Sequence, residues 1–298
     1  MLPRYQMGRG APDLSSNRGV GASARTARSG RASGTMVSHD QVLTAWVAIA
    51  AVTFPFLFTT NAPYGKFFAA GWGPKMRGGL GWFLQEIPSP IFLWLGVTRG
   101  SEIFPEFAKG GSSDPAYVRA LVAVWFAHYA HRAVVYPLTR SLGPTAWITV
   151  SSAVAFNVVN GILVGSELAY RGQAPANELH LRYAVVAFVL GVFINVYHDA
   201  KLRRLRATAA SAPESERSGR YVMPRGGLFY LVACPHYLGE LIEWTAFAAL
   251  CPHVRAARAF AFWTFANLYP RAAATARWYR ETFPRRYPAR CRAMIPFI

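Results

Sequence analysis

The sequence is poor in charged side chains, and acidic ones are especially scarce. Only 15% of its 298 residues are charged, with 14 acids against 32 lysines and arginines. Because soluble domains carry about 25% charged residues, this deficit argues against an ordinary soluble domain and indicates contact with lipid. The three cysteines, Cys234, Cys251 and Cys291, form no CxxC pair. We therefore expect neither a disulfide framework nor a metal site.

Long apolar runs take the place of the missing charges. Several approach the roughly 20 residues that a helix needs to cross a bilayer, and none alternates with the period of two of a barrel strand. Since only helices or closed barrels can cross lipid, the pattern predicts an all-α polytopic membrane protein with about seven transmembrane helices. The seven runs are residues 42–60, 91–97 (its helix beginning near Trp82), 118–138, 146–164, 183–197, 228–250 and 257–268.

The net charge of +18 raises the alternatives of nucleic acid and membrane surface. The basic residues gather in the connection 201–225 and in the tail 277–292, which is typical of loops on the cytosolic side of a membrane. We favour the membrane and expect lipid contact, without a nucleic-acid partner or an obligate protein partner. Seven spans would place the arginines of residues 4–31 on the far side. Either that segment tolerates translocation, or it is processed, or the span count is off by one.

Residues 1–38 differ from the rest of the chain. They are rich in Arg, Ser, Gly and Ala, and Asp13 is their only acid. We interpret them as a disordered tail, with a transit peptide as the alternative. The GxGxxA match at residues 19–24 has no strand before it and no helix after it, so it is not a Rossmann turn. Residues 39–298 are predicted to form one transmembrane domain.

Four acids fall inside or beside the apolar runs: Glu86, Asp199, Glu240 and Glu243. A charge buried in lipid costs several kcal/mol unless it is paired or protonated, so such acids mark candidate functional sites. The alternative for Glu86 is a helix end that faces water. If it is buried, Glu86 would be held protonated and would act as a hydrogen-bond donor.

Helical spacing groups other polar residues with these acids. Residues three, four or seven apart share a helix face. The alternatives are interfacial snorkelling for the Tyr and Arg side chains and a helix-end ion pair for Asp199. Metal ligation by the acids and one histidine is a weaker alternative. The three predicted faces are Tyr129, Arg132 and Tyr136; Asn195, Asp199 and Arg206; and His236, Glu240 and Glu243.

Taken in order along the chain, short strings resemble the steroid 5α-reductase family (3-oxo-5α-steroid 4-dehydrogenases). The resemblance extends over about residues 64–298. It is carried by Tyr64-Gly65-Lys66, the string Trp82–Ser89, His128-Tyr129 with His131-Arg132, Asn160-Gly161, Asn195 with Asp199, the block from Tyr221 to Trp244, Arg271, Trp278-Tyr279 and the ending Ile295–Ile298.

The resemblance implies a multi-pass enzyme of the endoplasmic reticulum membrane that binds NADPH without a Rossmann domain. It implies hydride transfer to the Δ4 double bond of a 3-oxosteroid, with Glu86 and Tyr129 donating hydrogen bonds to the substrate carbonyl as an oxyanion hole does. Trp82, Gln85 and Glu243 would contact the substrate. The residues implied for NADPH are Tyr64, Arg132, Arg140, Asn195, Asp199, Arg206, Tyr221, His236, Glu240, Arg271 and Tyr279.

The chain departs from the family pattern at three places. Val222 stands where a basic residue is usual, His236 where steroid-acting members usually have Asn, and residues 274–277 where two histidines are usual. Two alternatives stay open: a relative acting on a polyprenol or a trans-2-enoyl-CoA, and a non-catalytic sterol-binding membrane protein. Binding alone would need neither Glu86 nor Tyr129, which favours the enzyme.

Overall fold

The computed structural model describes residues 37–60, 71–214, 217–218, 221–284 and 286–297. The predicted tail therefore lies almost entirely outside the described residues. Tyr64, predicted to contact NADPH, lies outside them too. The predicted boundary at residue 38 coincides with a helix start, because Ser38 caps the first helix through a capping box with Gln41.

Helices dominate the described part of the chain. Their bounds are α1 His39–Thr59, α2 Gly78–Glu86, α3 Pro88–Ile103, α4 Pro115–Tyr129, α5 Tyr136–Leu138, α6 Trp147–Arg171, α7 Glu178–Ala207, α8 Pro235–Leu250 and α9 Arg255–Thr282. The strands are two residues each and form two antiparallel pairs: β1 Lys75–Met76 with β2 Thr145–Ala146, and β3 Arg217–Ser218 with β4 Tyr221–Val222. A π-helical stretch, Ala130–Val135, joins α4 to α5.

The predicted all-α class is confirmed, and the seven apolar runs fall on seven helical segments. Two segments are interrupted: Ile87 separates α2 from α3, where Pro88 begins the new helix, and the π-helical stretch separates α4 from α5. By length and composition, three helices of the described part can cross a bilayer: α1, α6 and α7. The other segments are shorter or carry more charge, which agrees with the polar residues that they bring to the site.

Glycines allow two helix pairs to approach closely. On α3 and α6, Gly96 and Gly161 each stand where a side chain would collide: a Cβ on Gly96 would lie 2.7 Å from the Ile162 carbonyl oxygen. On α7 and α8, a Cβ on Gly191 would lie 2.5 Å from the Glu243 backbone nitrogen. Small residues at helix crossings are the usual means of tight packing in membranes. The α7–α8 contact matters most for the site, since it sets Asn195 against the first turns of α8.

A cluster of ion pairs holds one end of the helix bundle. Arg255, at the start of α9, donates from Nε to Glu167 Oε1 at 3.1 Å and from NH1 to Asp40 Oδ2 at 3.3 Å. The Ala256 backbone N–H donates to Glu167 Oε2 at 2.7 Å, and Arg171 lies 3.5 Å from the same carboxylate. These contacts join α1, α6 and α9. We call this group (Asp40, Glu167, Arg171 and Arg255) the far-end clamp, because α9 runs from it towards the candidate site.

Candidate active site

Arg132 joins two acids from different helices. Its Nε lies 3.3 Å from Glu86 Oε1, at the end of α2, and its NH2 lies 3.4 Å from Glu240 Oε1, on α8. All three side chains are mostly buried. Glu86 and Glu240, which are 46 and 108 positions from Arg132 in the sequence, thus contact the same guanidinium. A guanidinium can bond in several directions because its N–H groups form a planar fork. Two of the predicted site acids and a predicted cofactor residue are therefore brought together.

The π-helical stretch shapes the surroundings of Arg132. π-Turns inside helices are rare and often occur at functional sites. The Trp82 indole donates a hydrogen bond to the Arg132 carbonyl at 3.0 Å and stacks on Tyr136 with ring centroids 4.8 Å apart. The Arg132 guanidinium lies 4.9 Å from the Trp82 ring centroid, a cation–π contact. Trp82, which was predicted to contact substrate, thus also positions Arg132.

Asn195 connects α7 to the same network. Its amide nitrogen donates to the His236 carbonyl at 3.1 Å and to Glu240 Oε2 at 3.3 Å. Because Gly191 and Gly239 let α7 and α8 approach, the Asn195 side chain reaches the first turn of α8. The structure thus brings Asn195 of one predicted helix face beside His236 and Glu240 of another.

A second ion pair lies beside the first. Arg140 NH2 contacts the Asp199 carboxylate, and Arg140 NH1 donates to the Asp199 carbonyl at 3.4 Å. The Arg140 guanidinium also lies 4.1 Å from the Tyr136 ring centroid. Tyr136 is therefore shared by the Arg132 and Arg140 environments. Among the described residues, Asp199 forms no ion pair with Arg203, four positions further along α7, and its cation, Arg140, comes from a different segment.

Glu243 meets a histidine rather than an arginine. His128 Nδ1 lies 2.6 Å from Glu243 Oε1, and Glu243 is only 1% exposed. The adjacent Tyr129 is also buried and packs against Trp125 and Trp244. Glu243 was predicted to contact the substrate and His128 was noted as part of the resemblance, and their pairing across 115 positions could not be predicted from spacing.

A cavity of about 300 Å³ with a mixed polar and apolar lining lies beside these ion pairs: Ser141, the neighbour of Arg140, lines it, and so does His236, whose carbonyl is bonded to Asn195. Five of the residues predicted to contact the cofactor line it, and Tyr237 beside them accepts a hydrogen bond from Arg271 Nε at 3.1 Å. Its volume is at the lower end of the range of about 300–1,000 Å³ typical of small-molecule pockets. The five predicted residues are Arg206, Tyr221, His236, Arg271 and Tyr279.

The departures from the family pattern also cluster at this cavity. Val222, His236 and Thr275 all line it. His236 lines the cavity, and its backbone carbonyl accepts a hydrogen bond from Asn195. At these three positions the lining thus departs from what the resemblance implies, while Arg206 and Arg271 match it.

An apolar groove of about 840 Å³ lies between α3 and α4 and reaches Tyr129. Ile91, Trp94 and Phe126 line it and are partly exposed, so the groove opens on the outer surface of the helices. Arg119 is the only charged residue of its lining among the described residues. Tyr129 therefore borders an apolar space and lies one residue from the His128–Glu243 pair.

Gln85, which was predicted to contact the substrate, bonds to the backbone of its own helix and to α6. Its side-chain nitrogen donates to the Gly81 carbonyl at 2.9 Å, and its carbonyl accepts from Asn157 at 2.7 Å. Asn157 on α6 thus fixes the end of α2, one residue before Glu86. Sequence reasoning missed Asn157 and treated Tyr136 only as a member of a helix face. The available signal was the presence of an amide in an apolar run of α6.

The fold and the site define a helical membrane protein with an ion-paired polar network between packed helices. The chain belongs to the 3-oxo-5-alpha-steroid 4-dehydrogenase family, whose family model matches residues 144–298. This family is membrane-bound, and its members are oxidoreductases. The predicted resemblance is confirmed, and the chain is an oxidoreductase by family.

Relatives match over most of their length. Steroid 5-alpha-reductase DET2 of Arabidopsis thaliana is 35% identical over 259 residues, which cover 83% of this chain and 90% of the relative. The protein of the same name from Gossypium hirsutum is 36% identical over 269 residues, covering 87% and 96%. The 3-oxo-5-alpha-steroid 4-dehydrogenase 2 of Rattus norvegicus is 34% identical over 228 residues, covering 76% and 82%.

Proposed function

We propose that this chain reduces the Δ4 double bond of a 3-oxosteroid to the 5α-product, with NADPH as the hydride donor. The observation that carries the proposal is the position of the Glu86–Arg132–Glu240 network. A cavity lined by arginines and tyrosines lies near it, and Tyr129, which borders an apolar groove, lies three residues before Arg132. A polar cofactor and an apolar substrate could therefore meet at these residues. The names of the relatives agree with this chemistry.

The cavity residues fit a dinucleotide phosphate. Arg206 and Arg271 supply donors and positive charge for phosphate groups, and Tyr221 and Tyr279 supply aromatic faces and hydroxyl groups. Bound there, NADPH would supply the hydride, while the protein orients it and excludes water. Asn195 and Glu240 extend from the network towards His236 at the cavity wall and would hold the end of the cofactor that faces the network.

Glu86 and Tyr129 are proposed to polarise the substrate carbonyl. Glu86 and Glu240 share the single cation Arg132, so charge balance favours one proton on this pair of acids. A protonated Glu86 could donate a hydrogen bond to a ketone oxygen, and the Tyr129 hydroxyl could donate a second. Two donors aimed at the developing enolate oxygen lower the barrier to hydride addition at the β-carbon.

The membrane placement is also a proposal. We place the candidate site at the cytosolic face of the endoplasmic reticulum membrane, with the seven helical segments crossing it. Basic residues crowd the site end of the bundle, at the end of α7 and after α9, as the positive-inside rule expects of cytosolic ends. The far-end clamp would then lie at the opposite face.

Purified protein in nanodiscs with NADPH and a panel of Δ4-3-ketosteroids tests the proposal. We expect the wild type to form 5α-reduced product, and Glu86→Gln and Tyr129→Phe to lose about 10²–10³ of kcat, as when one oxyanion-hole donor is removed. NADPH affinity should stay near the wild-type value in both variants. Phe126→Leu, which alters the groove without removing a donor, is the control.

The outcomes separate the alternatives. Product from a polyprenol or a trans-2-enoyl-CoA, with none from any steroid, would contradict the substrate but keep the reductase. Sterol binding without NADPH binding would contradict the enzyme and favour a sterol-binding protein.

A further inference from the structure

The His128–Glu243 pair stands apart from the arginine-centred network. Its two atoms, His128 Nδ1 and Glu243 Oε1, are 2.6 Å apart, and the Glu243 side chain is 2% exposed. The backbone of Glu243 is fixed from the other side, since a Cβ on Gly191 would lie 2.5 Å from its nitrogen. The close approach of α7 thus fixes the backbone from which the Glu243 side chain reaches His128.

Charge balance favours a proton on this pair beyond the one that a neutral histidine carries. Arg132 is engaged by Glu86 and Glu240, and Arg140 by Asp199, so within the described part of the chain His128 is the one basic group bonded to Glu243. An ionised carboxylate at this depth needs a proton-bearing partner. Whether the proton rests on the imidazole or on the carboxyl, the pair carries one exchangeable proton.

The geometry leaves one ring nitrogen available to pass that proton on. Glu243 occupies Nδ1, so Nε2 is the atom left for exchange. A carboxylate that orients a histidine through Nδ1 while Nε2 exchanges protons is the arrangement of catalytic triads. The His128 side chain is 13% exposed, and its ring makes a T-shaped contact with that of Tyr129 at a centroid distance of 5.0 Å.

We propose that His128 and Glu243 form a proton relay that restores the proton of Tyr129 in each turnover. The inference rests on the proposed reductase function. Among the described residues, Glu243 on α8, Glu86 on α2, and Tyr129 and His131 on its own segment interact with the His128 ring, and Glu86 links it to the Arg132–Glu240 pair. The His128 ring also packs against Trp244, with ring centroids 4.6 Å apart.

The step balances in protons and electrons. In this step the carbonyl oxygen would take the Tyr129 proton to give an enol and a tyrosinate, while bound NADPH would supply the hydride, and with it both electrons, for the β-carbon. Nε2–H of His128 then protonates the tyrosinate, which leaves a neutral imidazole bonded to the Glu243 carboxylate. The enol becomes the ketone by tautomerisation, and water returns one proton to the pair. His128 acts through Tyr129, so it is a positioning and relay residue.

The test compares Glu243→Gln and His128→Ala with the wild type in nanodiscs. We expect kcat to fall about 100-fold in both, within the range of general acid–base contributions. The Kd of NADPH, measured by fluorescence titration, should change less than twofold, which also shows that the variants are folded. The solvent deuterium isotope effect on kcat should rise in Glu243→Gln, and added imidazole should restore part of the kcat of His128→Ala.

Glu167→Gln is the matched control, because Glu167 is an equally buried acid in the far-end clamp. It should leave kcat and the isotope effect unchanged. Wild-type kcat and isotope effect in Glu243→Gln would overturn the relay, and so would a rise of the NADPH Kd in proportion to the loss of kcat. If the wild type itself forms no product from any enone, the proposed function and the relay fall together. The relay proposal alone is contradicted only if the wild type is active and the variants behave like it.

Discussion

The two ends of the helix bundle use the same residue types in different balance. In the far-end clamp, two acids meet two arginines, and Glu167 also accepts a backbone N–H from Ala256. At the site end, Glu86 and Glu240 share Arg132 alone. In this balanced cluster both oxygens of the buried Glu167 carboxylate have donors, and the contacts join three helices. A cluster with two acids and one cation can accept a proton or a ligand, and this cluster lies near the 300 Å³ cavity.

Removing the shared cation should have the largest effect. Arg132→Leu leaves two buried acids without their partner, and breaking a buried pair from one side costs about 3–5 kcal/mol. We expect activity to be lost beyond detection and Tm to fall, as measured by product formation and thermal denaturation in detergent. Arg132→Lys should recover part of the stability but little activity, because an ammonium cannot bond in two fixed directions. Full activity in Arg132→Leu would contradict the role given to the network.

Breaking the far-end clamp should lower the stability of the protein and leave its catalytic activity unchanged. Glu167→Leu leaves Arg255 and Arg171 without their shared carboxylate and the Ala256 N–H without its acceptor. We expect a loss of up to about 3–5 kcal/mol. The KM for NADPH and kcat at a temperature where the variant is folded should stay within twofold of wild type. A change in KM as large as that of Arg132→Leu would show that the two ends are not independent.

A larger side chain at the α7–α8 crossing should have an intermediate effect, on both stability and NADPH affinity. Gly191→Ala places a Cβ against the Glu243 nitrogen and the Gly239 carbonyl, and overpacking costs about 1–3 kcal/mol. Because Asn195 would shift away from Glu240, we expect NADPH affinity to weaken as well. Gly79→Ala is the control, since its Cβ would meet the Pro137 carbonyl at an ordinary 3.7 Å. Equal affinities in the two variants would show that the crossing does not position Asn195.

The smallest effect concerns Cys291, beyond α9. Burial raises the pKa of this thiol, and Tyr287 donates a hydrogen bond to its sulfur at 3.1 Å. Since the folded state disfavours the thiolate, the stability that this thiol contributes is complete below the ordinary thiol range and declines as pH rises through it. We expect iodoacetamide to label Cys291 only after unfolding, as measured by mass spectrometry. Rapid labelling of the folded protein at pH 8 would contradict this.

Composition and periodicity were enough for the fold class. Seven apolar runs predicted the seven helical segments, because the membrane solvent permits few other structures for such runs. The interruptions were not predicted, since the π-helical stretch after Tyr129 is set by the packing of Trp82 and Tyr136 around Arg132 rather than by local propensity. Among the site residues, those of the cavity were found by resemblance, and their roles stay predictions.

The sequence by itself determined that the chain is helical, that it belongs in a membrane, and to which family it belongs, because these depend on composition and on ordered local strings. Only the tertiary structure decided the partners. His128 lies 115 positions from Glu243, and Arg132 lies 108 positions from Glu240. No local pattern records such pairs. They are chosen by helix crossings such as that at Gly191, where the absence of a side chain lets two backbones approach and brings distant acids beside their cations.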